Sequence, residues 1–197
     1  GHTISNLTNL SLFENFRGTV ENVNISNFTN TSVGRGNGDF VTAFAQETYT
    51  ATFKNMKFNN ITLSGRNNVA VVTGMDGREN ANSVFENISV KNANVTGTGV
   101  YVSTFAGRKY GGLIKNVYVQ GTLDVKQTEN GGLVGAMQQG GTIENVITDV
   151  DVTKTSNTFS NQANSIFNAS MVGNIYNTPK INNCIAFGNM TGFTDTA

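Results

Sequence analysis

The chain is made of copies of one short pattern. An apolar residue, a variable residue, an asparagine and a second apolar residue recur as Val20-Glu21-Asn22-Val23, Phe53-Lys54-Asn55-Met56, Phe85-Glu86-Asn87-Ile88, Ile114-Lys115-Asn116-Val117, Ile143-Glu144-Asn145-Val146 and Ile181-Asn182-Asn183-Cys184. Successive asparagines stand 33, 32, 29, 29 and 38 residues apart. Self-similarity at this period marks a stacked repeat, in which each unit buries its apolar face only against its neighbours.

A second pattern precedes each asparagine: two apolar residues, two mostly small ones, then another apolar residue. Its copies are Leu12-Phe13…Phe16, Phe40-Val41…Phe44, Val71-Val72…Met75, Tyr101-Val102…Phe105, Leu133-Val134…Met137 and Met171-Val172…Ile175. Both markers give six units. Within each unit, short alternating stretches such as Val117-Tyr118-Val119 are separated by Gly and Asn, the pattern of strands and turns. No stretch keeps the 3, 4, 7 apolar spacing of a helix. Val, Ile, Thr, Phe and Tyr suit half-buried strands, and a single proline among 197 residues suits a backbone that is paired along most of its length. The expected fold is all-β: a right-handed parallel β-helix of about six coils of roughly 30 residues, with residues 1–197 as one domain. A propeller needs longer blades. The chain lacks an initiating Met and any visible end cap, so it is expected to be a fragment excised from a longer secreted protein.

The asparagines have a structural reading. In Phe85-Glu86-Asn87-Ile88-Ser89-Val90, the residues Phe85, Ile88 and Val90 can all face inward only if the phase flips near Asn87. A left-handed residue makes such a bend, and Asn tolerates that conformation better than most. Stacking then aligns Asn22, Asn55, Asn87, Asn116, Asn145 and Asn183 in an amide ladder. Three polar excursions are expected as loops: Gly34 to Asp39, Asp76 to Ser83 and Lys154 to Asn168. Arg108, Lys109 and Tyr110 form the one compact basic-aromatic spot and are the candidate contact loop.

Thirteen acidic and thirteen basic residues cancel, which argues against a nucleic-acid partner. No apolar run is long enough to span a membrane as a helix. One cysteine, Cys184, excludes an internal disulfide; in its repeat position it reads as a small buried apolar residue. His2 is the sole histidine, and no H-E-x-x-H, G-x-S-x-G or phosphate-binding glycine loop is present. Gly34-Arg35-Gly36-Asn37-Gly38 lacks the register of a dinucleotide fingerprint. The best carboxylate pair is Asp149 and Asp151, two apart and so on one strand face. Val150 and Val152 are the natural inward residues there, which makes these acids weak candidates for metal binding or catalysis. No catalytic, cofactor-binding or metal-ligating residue is assigned within the chain.

Gly1-His2-Thr3-Ile4-Ser5-Asn6-Leu7, with Leu12-Phe13 and Gly18-Thr19-Val20-Glu21-Asn22-Val23-Asn24-Ile25, resembles the entry to the β-helical region of streptococcal immunoglobulin A-specific zinc metallopeptidases and their paralogues. Gly131-Gly132-Leu133-Val134-Gly135 and Gly141-Thr142-Ile143-Glu144-Asn145-Val146 resemble the GLUG repeat found there and in other bacterial surface proteins. The resemblance implies a secreted, cell-wall-associated protease of a Gram-positive bacterium, with zinc in a separate catalytic domain and no cofactor in this segment. It further implies a non-catalytic scaffold or docking module whose partners are neighbouring domains of the parent and host proteins such as immunoglobulin. A second reading is a glycan- or host-protein-binding adhesin module, and a third a polysaccharide lyase or hydrolase using Asp149 and Asp151.

Overall fold

A computed structural model describes residues 1–31, 39–77, 82–155 and 167–193. Gly34-Arg35-Gly36-Asn37-Gly38 and parts of the three expected loops lie outside the described residues. Those residues contain strands and no helix: β1 (His2–Ser5), β2 (Phe13–Glu21), β3 (Val23–Asn30), β4 (Ala45–Gly65), β5 (Thr73–Asp76), β6 (Val84–Gly97), β7 (Ala106–Lys109), β8 (Leu113–Val125), β9 (Asn130–Gly131), β10 (Val134–Met137), β11 (Thr142–Lys154), β12 (Asn168–Ala169), β13 (Val172–Ile175), β14 (Lys180–Asn182), β15 (Ile185–Phe187) and β16 (Met190–Thr191). Every pairing between them is parallel. The chain is a parallel β-solenoid of about four turns.

The walls follow from the register. One wall stacks β4, β5, β7, β10 and β13. The long strands β4, β6, β8 and β11 run on through bends and supply the other walls. The bends are residues with positive φ: Asn22, Asn55, Asn87, Asn116, Asn145 and Asn183 lie between 51° and 59°. A single left-handed residue reverses the inward phase without breaking the ladder of backbone hydrogen bonds. Phe85 and Val90 are fully buried and Ile88 nearly so, on both sides of Asn87.

The core is one continuous apolar column. Phe13, Phe16, Phe44, Phe53, Phe85 and Phe105 contact one another along it, with Phe53 and Phe85 stacked at 4.8 Å between centroids. Such pairs add stabilisation beyond the area they bury.

The second sequence marker is corrected in its register. Phe13, Ala45, Thr73, Ala106, Val134 and Val172 stack over one another. The pattern aligned Val41, Val72 and Val102 with Phe13, Val134 and Val172, which is out by four, one and four residues. Val41 and Val102 belong instead to the corner before the wall, where Thr42 bridges Ala70 and Ser103 bridges Gly131. Val41 and Val102 at the corner are as fully buried as Ala45, Thr73, Ala106 and Val134 on the wall, so apolar character alone cannot tell them apart.

A column of glycines accompanies this wall. A Cβ on Gly135 would lie 2.5 Å from the Gly107 carbonyl oxygen, and one on Gly107 would lie 2.5 Å from that of Gly74. Here the backbone of one pass sits against the next, and no side chain fits between.

Candidate functional site

The asparagine ladder is continuous. Asn55 Nδ2 donates to Asn22 Oδ1 at 3.2 Å, Asn87 to Asn55 at 3.1 Å, Asn116 to Asn87 at 2.9 Å, Asn145 to Asn116 at 3.1 Å and Asn183 to Asn145 at 3.3 Å. These amides are engaged with one another. A shallow groove of about 560 Å³ runs beside them, edged by Lys57, Ser89, Tyr118 and Ile147.

Two further ladders were missed in the sequence. The first is Asn6, Asn27, Asn60 and Asn92, all with positive φ, whose amides bond at 3.0–3.3 Å. It stops because β8 has one residue fewer than β6 between Val119 and Gly121. There the Gln120 side-chain oxygen Oε1 accepts the Asn92 backbone N–H at 2.9 Å instead. The second ladder is the variable position of the repeat motif. Glu21, Lys54, Glu86, Lys115 and Glu144 stack in register with alternating charge, and ion pairs join Lys54 to Glu86 at 3.4 Å and Lys115 to Glu144 at 3.3 Å. That alternation is written in the sequence as Glu, Lys, Glu, Lys, Glu immediately before successive asparagines.

Asp149 and Asp151 point outward from β11, while Val150 and Val152 are fully buried. Asp151 Oδ1 accepts the Asn189 backbone N–H at 2.8 Å and its side-chain amide at 3.2 Å. Among the described residues no group of three or more His, Cys, Asp or Glu side chains could hold a metal ion, and no helix is long and apolar enough to cross a membrane. Cys184 is half-buried, with its Sγ 3.1 Å from the Asn182 carbonyl oxygen.

The expected contact loop at Arg108, Lys109 and Tyr110 needs correction. Arg108 and Lys109 belong to strand β7, and Lys109 is completely buried. Its Nζ lies 2.6 Å from Asp76 Oδ2, itself inaccessible, and 4.8 Å from the Phe85 ring centre. Thr48 Oγ1 donates to Asp76 Oδ1 at 2.8 Å. A charge that deep requires its partner, and strand alternation is what places Lys109 inside and Arg108 outside.

Outside that wall lies a connected polar and aromatic network. The Arg108 guanidinium sits 3.7 Å from the Tyr101 ring centre, and its Nη1 donates to the Tyr110 hydroxyl at 3.3 Å. Arg108 Nε is buried without a hydrogen-bond partner among the described residues. Glu129, nearly buried, accepts the Tyr176 hydroxyl and, at 2.8 Å, the Asn174 side-chain amide. Burial, then the hydrogen bond to Glu129, raises the phenol pKa of both Tyr101 and Tyr176. Tyr101 and Glu129 themselves adopt positive φ, 62° and 60°, a conformation that costs a bulky side chain energy and often accompanies a functional site.

No protein-family model, no curated protein and no solved structure matches this chain.

Proposed function

We propose that this chain is the non-catalytic scaffold and docking module of a secreted, cell-wall-associated zinc metalloendopeptidase that cleaves host proteins such as immunoglobulin A. In this reading it is a right-handed β-helix of about six windings, the zinc resides in a separate catalytic domain of the parent, and the β-helix spaces and orients that domain or its substrate. The opening segment and the GLUG-like fifth repeat support the family assignment. One structural observation carries the scaffold role: the repeated polar positions are engaged in winding-to-winding contacts. The Asn22-to-Asn183 ladder and the Lys54–Glu86 and Lys115–Glu144 pairs all join adjacent passes, an arrangement that stiffens a rod and converges on no reaction centre.

The test is incubation of the pure chain with immunoglobulin A and with casein, with and without added zinc, alongside surface-plasmon measurement of immunoglobulin binding. Retention of intact substrate together with measurable binding is expected. Cleavage abolished by a chelator would overturn the scaffold reading.

A further inference from the structure

The wall formed by β4, β5, β7, β10 and β13 carries one more regularity. The residues that follow Thr48, Asp76, Lys109, Met137 and Ile175 in the chain are Tyr49, Gly77, Tyr110, Gln138 and Tyr176. Backbone hydrogen bonds of 2.8–2.9 Å, from Gly77 to Thr48, Tyr110 to Asp76, Gln138 to Lys109 and Tyr176 to Met137, hold them in one column. Tyrosine therefore recurs on every second pass. Parallel passes lie about 4.8 Å apart, so neighbouring tyrosines are separated by about 10 Å. Each hydroxyl is tethered by a charged side chain of the same surface: Tyr49 to Glu47, Tyr110 to Arg108 and Tyr176 to Glu129. A tethered ring loses little conformational freedom on binding. Tyr49 and Tyr110 are half-buried and Tyr176 is 50% exposed.

We propose that this wall binds an extended, carboxylate-bearing β-linked polysaccharide, with Tyr110 and Tyr176 as stacking platforms and Arg108 as the carboxylate anchor; the Tyr49 ring is already covered by the Arg17 guanidinium at 4.9 Å. The tyrosine spacing is of the order of one disaccharide of such a chain, so successive rings meet the same apolar sugar face. Amphipathic rings of this kind supply contact area at small entropic cost. Among the described residues the carboxylates that meet these rings, Glu47 and Glu129, are buried and accept tyrosine hydroxyls. Among the described residues Arg108 is half-buried and has no carboxylate partner; its Nη1 donates to the Tyr110 hydroxyl. A guanidinium held against Tyr101 and short of acceptors is suited to a ligand carboxylate. The proposal holds whether or not the chain belongs to a peptidase.

The experiment is titration calorimetry of the full chain with a hyaluronan hexasaccharide as the acidic probe and chitohexaose as the neutral one. The acidic chain is expected to bind more tightly. Tyr110→Ala and Tyr176→Ala should each weaken it about tenfold. Arg108→Gln should remove the preference for the acidic probe, and Tyr118→Ala, in the groove beside the asparagine ladder, should change nothing. Thermal melting checks that each variant folds; if Tyr110→Ala does not, Tyr110→Phe keeps the ring and should keep binding, whereas Tyr176→Ala still reads out the row. Failure of both probes to bind, equal affinity for the two, or loss of binding only in Tyr118→Ala would overturn the proposal.

Discussion

Asn87 is the position at which the bend and the ladder can be separated. Its amide donates to Asn55 and accepts from Asn116, and its φ is 56°. Asn87→Ala removes two exposed hydrogen bonds, each contributing about 0.5–1.5 kcal/mol, near the lower end because water competes. Alanine in the left-handed region costs roughly another 1 kcal/mol. The sum is about 2–3 kcal/mol, or roughly 5–10 °C in melting temperature for a chain of this size. Asn87→Gly loses the same bonds but accepts the backbone conformation. It should therefore be the milder change, by about 1 kcal/mol. Urea unfolding followed by circular dichroism measures both. Equal effects of Ala and Gly would refute the claim that the left-handed bend selects asparagine. Changes within about 0.5 kcal/mol, typical of an uninvolved surface site, would refute the energetic role of the ladder.

Other outcomes follow from single contacts. Lys109→Ala strands the Asp76 carboxylate in the core and should destabilise by about 3–5 kcal/mol, whereas Lys109→Met combined with Asp76→Leu should recover much of that loss; a double variant no better than the single would show that the pair itself is required. Gly135→Ala pushes a methyl group into the Gly107 backbone and should cost about 1–3 kcal/mol, read from the same urea curves, while Gly18→Ala, with nothing within 4 Å, should show only the strain of its positive φ. Tyr101 and Tyr176 hold their protons above the ordinary tyrosine value of 10.0, so the stabilisation is complete below that pH and is lost as pH rises through the folded-state values. Alkaline titration followed by phenolate absorbance should show Tyr101 and Tyr176 ionising late, and Tyr176→Phe should remove one late-ionising group.

The repeat, the strand content and the bend at each asparagine were legible in the sequence because they depend on local rules. Side chains alternate with period two, asparagine tolerates the left-handed region, and stacked units bring like residues together. The alternating Glu21, Lys54, Glu86, Lys115 and Glu144 column was equally open to reading. The register before each bend was not. Val41 and Val102 at the corner and Ala45 and Ala106 on the wall are all fully buried, and only backbone pairing distinguishes them. Lys109 carried a misleading signal for a related reason: a basic residue beside Arg108 and Tyr110 looks exposed until the next pass sets Asp76 within 2.6 Å of it. Asp76 and Lys109 are 33 residues apart in the chain, as Glu129 and Tyr176 are 47 apart. Local pattern set what each winding contains and where it turns. Which side chains meet across windings was decided by the length of every corner, since one residue more or less there moves a whole wall by one position and turns an inward side chain outward.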